Sequence, residues 1–412
     1  MARDKKIWIR LALFILAAAV AVGSFTHGVL SLVHRESGWY EIEPDAAARA
    51  VTYDSGIRLL YYSEGGSSAI RQETSAVQKA FSVSLLRYDK LLDAKNEFED
   101  SVNIASIIAA DGEPVFIDEA LYEVLADALA KTARKQGYSV FAGALWREWE
   151  TLLYLDEPQL YDPANDAHEA ARVAALADAV GHEDWFSLTL ADDDGFAAAF
   201  TVSREYRDFE AAYELDVPAL DLNALREAYL MRLVARDMAA QGFTRGYLYT
   251  EDGLTALLDA DTYRFDLLGF TDGAPVRVAA LPVDGPAAFC QFTAFRPGEG
   301  QYGWYAVETE AGTLLRHPRF DARTGGFHDV LLSVALASGE RDIVDLAYEA
   351  VELFAMDSRA AVQARLAQDA GTDAAWIWRD DGAKTLFTTG AVQNAGPDEA
   401  GGWSVALVHP GE

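Results

Sequence analysis

The sequence is poor in cysteine and in basic residues, and each shortage argues against a class of protein. Its single cysteine, Cys290, cannot form an internal disulfide bond. It lies in the apolar run 287–290, which predicts a small buried residue rather than a nucleophile. A lipid-anchored exported protein needs a cysteine just after its signal segment, and none lies there. The 34 Lys and Arg face 65 Asp and Glu, so the surface repels phosphate backbones and no nucleic-acid partner is expected.

Short motifs typical of common catalytic sites are also missing. There is no glycine-rich phosphate loop with a lysine, no Gly-x-Ser-x-Gly elbow and no His-Glu-x-x-His pair. The seven histidines do not have the spacing of metal ligands, so no zinc site is predicted. Any chemistry of this chain must therefore use a less common arrangement of residues.

An apolar segment near the N-terminus predicts a membrane anchor. Residues 11–33 contain no formally charged side chain, and 23 residues at 1.5 Å rise could cross a hydrocarbon core of about 30 Å. Arg3, Lys5, Lys6 and Arg10 precede this segment, and the positive-inside bias places residues 1–10 in the cytoplasm. A cleaved signal peptide is the alternative, because the small residues 19–21 resemble a cleavage site. Both interpretations predict an exported domain, and the first places it at the cell membrane.

The rest of the chain reads as one acidic domain. After residue 35 there are 29 basic and 64 acidic residues, spread through ordered-looking sequence, which indicates a soluble surface. We predict a juxtamembrane segment at 36–56, the domain at 57–390 and a C-terminal tail at 391–412. No linker divides the domain.

Hydrophobic periodicity predicts an α+β fold. Three-to-four spacing indicates helices at 70–92, after Asp118, at 163–180, from Asp221 and at 343–354. Short β-type runs lie between them without the regular alternation of a doubly wound sheet, so we expect a mixed, mostly antiparallel sheet. The runs are 57–62, 185–190, 245–250, 276–281, 302–309, 330–337 and 374–378.

Two carboxylates on the last helix could bind a metal ion. Asp345 and Glu349 are four residues apart and project from one helical face. Such oxygen ligands, completed by backbone carbonyls and a phosphate, suit Mg²⁺. Taken alone, however, the same spacing is common on solvated helices.

Several short segments follow one another in a familiar order. They are 88–93, 102–104, 112–115, the glycine-led 137–146, Leu-Asp-Leu at 220–222 with Tyr229 beyond it, Asp-Ala-Arg-Thr-Gly at 321–325, and Val-Asp at 344–345. This collinear set resembles the FAD:protein FMN transferase (ApbE-like) family, and the resemblance spans about 57–390.

The resemblance implies a T-fold-like α+β domain, exported, that handles flavin. Members of the family move FMN from FAD, their substrate, to a threonine hydroxyl of another protein, with Mg²⁺ on the pyrophosphate. The partner implied here is a flavoprotein acceptor or a subunit of a membrane complex. By motif position, the resemblance implies catalytic roles for His317 and Asp321. It likewise implies flavin binding by Asp221, Tyr229, Arg323, Thr324 and Gly325, and metal binding by Asp345 and Glu349.

The chain departs from the family at chemical positions. Glu227 replaces a lysine, Asn223 and Ala224 replace two glycines, and 250–252 and 293–295 replace glycine-containing segments. Glu349 replaces a threonine, and His317 is displaced by one position. Together these changes put bulk and negative charge where an anionic dinucleotide should lie, which weakens its binding.

Three hypotheses remain open at this point. The chain is a degenerate relative that serves as a binding or accessory subunit, a working divergent transferase with Glu349 as a second Mg²⁺ ligand, or a solute-binding domain unrelated to flavin. The degenerate relative is favoured, because folds outlast the sites built on them.

Overall fold

The computed structural model describes residues 36–52, 56–271, 274–297, 303–310, 312–369, 371–380, 383–389, 392 and 403–407. The predicted anchor at 11–33 and the basic residues before it lie outside these ranges. Within them, no helix combines the length and apolarity needed to cross a bilayer.

The largest sheet among the described residues has nine strands. Its order is β1-β2-β6-β7-β10-β13-β14-β15-β16, and neighbouring strands pair antiparallel except β15 and β16. The strands are β1 (Gly38–Ile42), β2 (Arg58–Ser63), β6 (Gly246–Tyr249), β7 (Leu254–Leu257), β10 (Ala287–Thr293), β13 (Leu331–Ser338), β14 (Asp373–Asp380), β15 (Ala383–Thr388) and β16 (Trp403–Leu407). The predicted α+β class with mostly antiparallel sheet is confirmed.

Three smaller sheets flank this one. They are β3-β5-β4, made of β3 (Val115–Phe116), β4 (Phe186–Ala191) and β5 (Ala197–Val202), the hairpin β8 (Thr262–Thr271) with β9 (Ala274–Asp284), and the hairpin β11 (Tyr305–Thr309) with β12 (Gly312–Arg316). The long β8–β9 hairpin packs on the large sheet, where Phe265 stacks on Phe289 with ring centroids 4.0 Å apart.

The helices are α1 (Ala46–Val51), α2 (Ser67–Leu91), α3 (Ile104–Ala109), α4 (Glu119–Thr132), α5 (Gly143–Tyr154), α6 (Ala167–Gly181), α7 (Arg204–Ala212), α8 (Arg226–Ala240), α9 (Ile343–Phe354) and α10 (Arg359–Leu366). Helix α9 lies against β10, β13 and α8, and α2 packs against α8. Side chains of α9 are buried around its whole circumference, which is typical of a helix at the centre of a core. A smaller core lies under α5 and α6 around Trp149.

Several sequence predictions need correction at their edges. Strand β1 pairs with β2, and β16 pairs with β15, so the sheet extends beyond 57–390 into the predicted juxtamembrane segment and tail. The helix predicted at 163–180 begins at Ala167, where Asp166 caps it. The helix predicted from Asp221 opens with a 3₁₀ turn, Asn223–Leu225, before α8. Cys290 is buried in β10 as predicted, and burial raises the pKa of its thiol.

Candidate functional site

The candidate site surrounds the N-terminal half of helix α9. Asp342 caps this helix, because its side chain accepts hydrogen bonds from the backbone N–H groups of Val344 and Asp345 at 2.9 and 3.1 Å. The cap fixes the direction in which Asp345 leaves the first turn. Sequence periodicity predicted this helix over the residues that form it, 343–354.

The Asp345 carboxylate is paired with a lysine. Lys131, at the end of α4, places its Nζ 2.9 Å from Asp345 Oδ1 and 2.7 Å from Asp127 Oδ1. The Lys131 side chain is 5% exposed, whereas that of Asp345 is 44% exposed. The ammonium group therefore lies between two carboxylates, on the side of Asp345 that faces the protein.

A second cation continues this arrangement and brings Tyr229 into it. Arg232 of α8 has its Nη1 3.3 Å from Asp127 Oδ2 and 3.2 Å from Asp342 Oδ2. Its guanidinium carbon also lies 5.0 Å from the centre of the Tyr229 ring. We call Asp127, Lys131, Arg232, Asp342 and Asp345 the α9 cluster. Two of the predicted site residues, Asp345 and Tyr229, thus come together around this cluster, although Tyr229 itself is fully buried.

Glu349 has different neighbours from Asp345. Its carboxylate is fully buried and forms ion pairs with Arg341 through Oε2 and with Arg365 through Oε1, the latter at 3.1 Å. Arg341 also pairs with Asp369 and donates to the backbone carbonyl of Asp345 at 3.1 Å. We call Arg341, Glu349, Arg365 and Asp369 the buried ion network. Asp345 and Glu349 do not converge on a common point, since each is directed to its own cation.

The side chains present do not fit the Mg²⁺ that the family resemblance implies. A cation site needs oxygen ligands free to approach one point, and these oxygens already contact ammonium and guanidinium groups. No group of three or more His, Cys, Asp and Glu in the described ranges could hold a metal ion. The roles of Asp345 and Glu349 as ligands remain predictions without support from this arrangement.

The Asp321–Gly325 segment forms a tight turn. Asp321 is buried, and Arg323 donates to both of its carboxylate oxygens. The backbone N–H and the Nε of Arg323 lie 3.0 and 3.2 Å from Asp321 Oδ1, and Nη2 lies 3.1 Å from Oδ2. Thr324 is exposed, and its hydroxyl accepts from the N–H of Gly326 at 3.2 Å. These side-chain contacts are local, and the backbone N–H of Ala322 also donates to the Gly137 carbonyl at 3.1 Å.

Gly325 is required by packing. Its φ is +66°, and a Cβ there would lie 2.7 Å from Val173 Cγ1 in α6. Its carbonyl accepts from Trp149 Nε1 at 2.9 Å. The motif thus attaches the turn to α5 and α6, and its flavin-binding role stays a prediction.

His317 is a neutral, buried side chain. Burial, together with the nearby cations Arg319 and Arg316, holds its pKa well below the usual value. Nδ1 accepts from the backbone N–H of Arg319 at 3.2 Å, so the neutral ring carries its proton on Nε2. No described residue hydrogen-bonds Nε2. In this tautomer Nε2 can donate a proton but cannot accept one, which constrains the predicted catalytic role.

Asp221 and Asn223 organise the start of α8. Asp221 Oδ1 accepts from the backbone N–H of Asn223 at 2.8 Å, and burial raises the pKa of Asp221. Asn223 has φ +51°, a conformation natural to glycine that asparagine tolerates, and its Nδ2 donates to the Ser139 carbonyl at 2.9 Å. Asn223 therefore adopts a backbone conformation that favours glycine.

A further group of charged residues lies where α8 begins, near the β6–β7 turn. Arg319, 7% exposed, has its Nη2 2.5 Å from Asp252 Oδ2, and its guanidinium carbon lies 3.9 Å from the centre of the Phe292 ring. Glu227 adjoins this pair: burial, and then the charge of Asp252, raise its pKa to about 8. Arg319 Nε has no hydrogen-bond partner among the described residues. We call Glu227, Asp252 and Arg319 the Arg319 cluster.

Sequence reasoning missed the cations of the site. Lys131, Arg232, Arg319 and Arg341 were not singled out. The first three meet Asp345, Asp342 and Asp252 across 214, 110 and 67 positions, and Arg341 meets Glu349 across eight. One local signal existed, since Asp127 and Lys131 are four residues apart on α4. Nothing in the sequence links either of them to Asp345.

Comparison with known proteins adds the identity of the fold. No protein-family profile matches the sequence, and no curated protein matches it. Among solved structures, the chain is similar to the ApbE protein of Thermotoga maritima MSB8, with 13% identity, a TM-score of 0.55, and coverage of 86% of this chain and 96% of that one.

Two flavin transferases are similar as well. A mutant of ApbE from Vibrio cholerae has 11% identity and a TM-score of 0.50, over 87% of this chain and 98% of that one. The apo form of the Pseudomonas stutzeri flavinyl transferase ApbE has 13% identity and a TM-score of 0.50, over 88% and 96%. The chain has the fold of ApbE proteins, which confirms at the level of the fold the resemblance first seen in its motifs.

Proposed function

We propose that this chain is a divergent FAD:protein FMN transferase-like protein, held outside the cytoplasm by an anchor at 11–33, in which flavin transfer is weak or lost. Its role is then that of a flavin-binding or accessory subunit of a membrane complex or flavoprotein. The fold supports the relationship to flavin transferases. The anchor rests on the sequence alone.

One observation carries the loss of transfer. The Lys131 ammonium group lies between the Asp127 and Asp345 carboxylates, and so pairs with a carboxylate that the family resemblance assigns to Mg²⁺. Phosphoryl transfer depends on a cation that contacts the phosphates and neutralises their developing charge. An ammonium group with two carboxylate partners, 5% exposed, has little capacity to contact a phosphate as well.

The Arg319 cluster supports the same conclusion. Glu227 stands in place of the family lysine, and Asp252 lies close enough to raise its pKa. With Glu227 protonated, the Arg319 charge is offset by Asp252, so the cluster offers the pyrophosphate of FAD no net positive charge. Above about pH 8 the cluster becomes net negative and repels it.

A direct assay tests the proposal. The full chain, purified in detergent, is incubated with FAD, Mg²⁺ and a threonine-bearing acceptor domain, and covalent FMN is measured by mass spectrometry and in-gel fluorescence. We expect no labelling, because loss of a single phosphate-site donor already costs about 10²–10³ in rate. An active ApbE serves as the matched positive control. Labelling at a rate similar to that control would show that transfer is intact.

A reversion sharpens the test. We expect Glu227→Lys with Asn223→Gly to increase FAD retention after desalting before any transfer appears, because it restores a cation and a close backbone approach. If the reversion leaves FAD retention unchanged, the Arg319 cluster is not the phosphate region. Protease added to intact cells should degrade the domain, and an intact domain would contradict its export.

A further inference from the structure

A short exposed turn after α5 displays apolar side chains. Tyr154, Leu155, Leu160 and Tyr161 are 60%, 38%, 63% and 50% exposed. They lie within eight consecutive residues, around the 3₁₀ turn Pro158–Leu160. Single exposed apolar residues are ordinary on a protein surface, but four in one turn form a patch. We call residues 154–161 the apolar turn.

Buried polar contacts hold this turn rigidly. Asp162, directly after it, is fully buried and receives Arg316 Nε and Nη2 at 2.8 and 3.1 Å, a bidentate pair. The Tyr305 hydroxyl donates to the same carboxylate at 2.8 Å. Within the turn, the N–H groups of Leu160 and Tyr161 donate to the carbonyls of Glu157 and Pro158 at 3.2 and 3.1 Å.

This construction matters because rigid display lowers the cost of binding. A loop that is already ordered loses little conformational entropy when a partner covers it. Tyrosine and leucine add large contact areas at a small rotamer cost. The apolar turn is therefore preorganised to bury its side chains against another surface.

The turn also adjoins the candidate site. A Cβ on Gly303 would lie 3.7 Å from the Tyr154 hydroxyl and 3.6 Å from Pro318 Cγ, and Pro318 precedes Arg319. Although the Tyr154 side chain is 60% exposed, partial desolvation, and then the charges of Glu227 and Asp252, raise its pKa, so it lies near these two acids. A partner seated on the turn would thus reach the edge of the Arg319 cluster.

Charge identifies the kind of partner. Asp156 and Glu157 are exposed within the turn, and no cation lies in residues 154–161. We propose that the apolar turn binds a protein segment in which basic side chains alternate with apolar ones. A second copy of the chain is disfavoured because it would bring the same two carboxylates, and an anionic membrane surface is disfavoured by the same repulsion. The proposal rests on the proposed function and deepens it, by naming the face that meets the partner protein.

Peptide binding tests this surface. The full chain in detergent, at physiological salt, is titrated with a fluorescent peptide of repeated Lys-Leu-Lys-Trp units and with a matched peptide carrying Glu in place of Lys. We expect the basic peptide to bind and the acidic one to fail. Replacing Leu155, Leu160 and Tyr161 together by Ser should weaken binding at least about tenfold, since buried anchors dominate such interfaces.

A control variant shows whether peptide binding depends on the apolar turn or only on the acidity of the whole protein. Val83→Ser with Phe116→Ser removes two exposed apolar residues, at 59% and 72%, from α2 and β3. This control should change peptide affinity less than about twofold, and far-UV circular dichroism should show both variants folded.

Three outcomes would overturn the proposal. They are equal affinity in the Ser variant and wild type, an equal loss in the control variant, or turn-dependent binding to phosphatidylcholine–phosphatidylglycerol vesicles instead of the peptide. None of these measurements involves flavin, so failure here is distinguishable from failure of the proposed function.

Discussion

The buried ion network and the Arg319 cluster are both groups of charges inside one domain, and they are balanced differently. In the first, Arg341 and Arg365 contact both oxygens of Glu349, and Arg341 extends to Asp369. In the second, Arg319 contacts Asp252, and Glu227 has no ion pair with it among the described contacts. The pKa of Glu227 is raised to about 8, so this carboxyl group keeps its proton at neutral pH.

The difference shows two ways in which a protein accommodates an acid that is removed from water. A carboxylate can keep its charge when fixed guanidinium groups offset the loss of water, or it can become neutral when they do not. The network is therefore expected to be structural. The Arg319 cluster is expected to change charge within the physiological range, which is more typical of a functional site.

The largest effect should come from breaking the network. Arg341→Met leaves Glu349 and Asp369 without a shared cation, and we expect the free energy of unfolding to fall by about 3–5 kcal/mol in urea titrations. The double variant Arg341→Met with Glu349→Leu should recover part of that loss, because it removes a buried carboxylate that would then have only Arg365 to offset its charge. Arg58→Met, which removes a half-exposed cation from surface pairs, is the control and should cost less than about 1 kcal/mol. Equal losses for Arg341 and Arg58 would contradict a special role for the network.

An intermediate effect is expected at Lys131. Lys131→Ala leaves Asp127 and Asp345 facing each other, and we expect a loss of about 1–3 kcal/mol. Millimolar Mg²⁺ should raise the melting temperature of this variant and not that of the wild type, since the carboxylates become available as ligands. Lys135→Ala, which removes an exposed lysine after the same helix, is the control. A wild-type protein stabilised by Mg²⁺ would show instead that a metal binds without displacing Lys131.

At mildly acidic pH the smallest effect should come from Glu227, and its size is set by pH. The folded pKa lies above the unfolded value of 4.5, so the protein loses stability as pH rises from about 4.5 to 8. Glu227→Gln removes this dependence and should be more stable than wild type by about 1 kcal/mol at about pH 5, with a difference that widens towards about pH 8 and vanishes below about pH 4. Urea titrations at several pH values measure this, with exposed Glu113→Gln as the control. Parallel stability curves for wild type and Glu227→Gln would refute the raised pKa.

Much of the fold followed from local pattern. The period of apolar residues located α2, α4 and α9 to within a few residues, because a helix that packs on a sheet must present an apolar face. The sequence predicts a helix after Asp118, and in the structure Asp118 caps that helix. Its side chain accepts from the N–H of Ala120 at 2.9 Å. Helix α5 is not among the predicted helices: the glycine-led segment 137–146 was identified only by resemblance, and in the structure 137–142 form turns that lead into this helix.

The sequence alone determined the α+β class, the buried state of Cys290, the order of the motif segments and the excess of acidic residues. Each depends on residues close together in the chain or on composition. Tertiary structure alone decided which charges meet. It placed Lys131 of α4 against Asp345 of α9, 214 positions away, and Arg319 against Asp252. Pairing of buried charges is governed by burial and distance in the folded state, and neither quantity is encoded in local spacing. For that reason the sequence could nominate Asp345 and Glu349 as metal ligands, and only the fold could show that built-in cations already contact them.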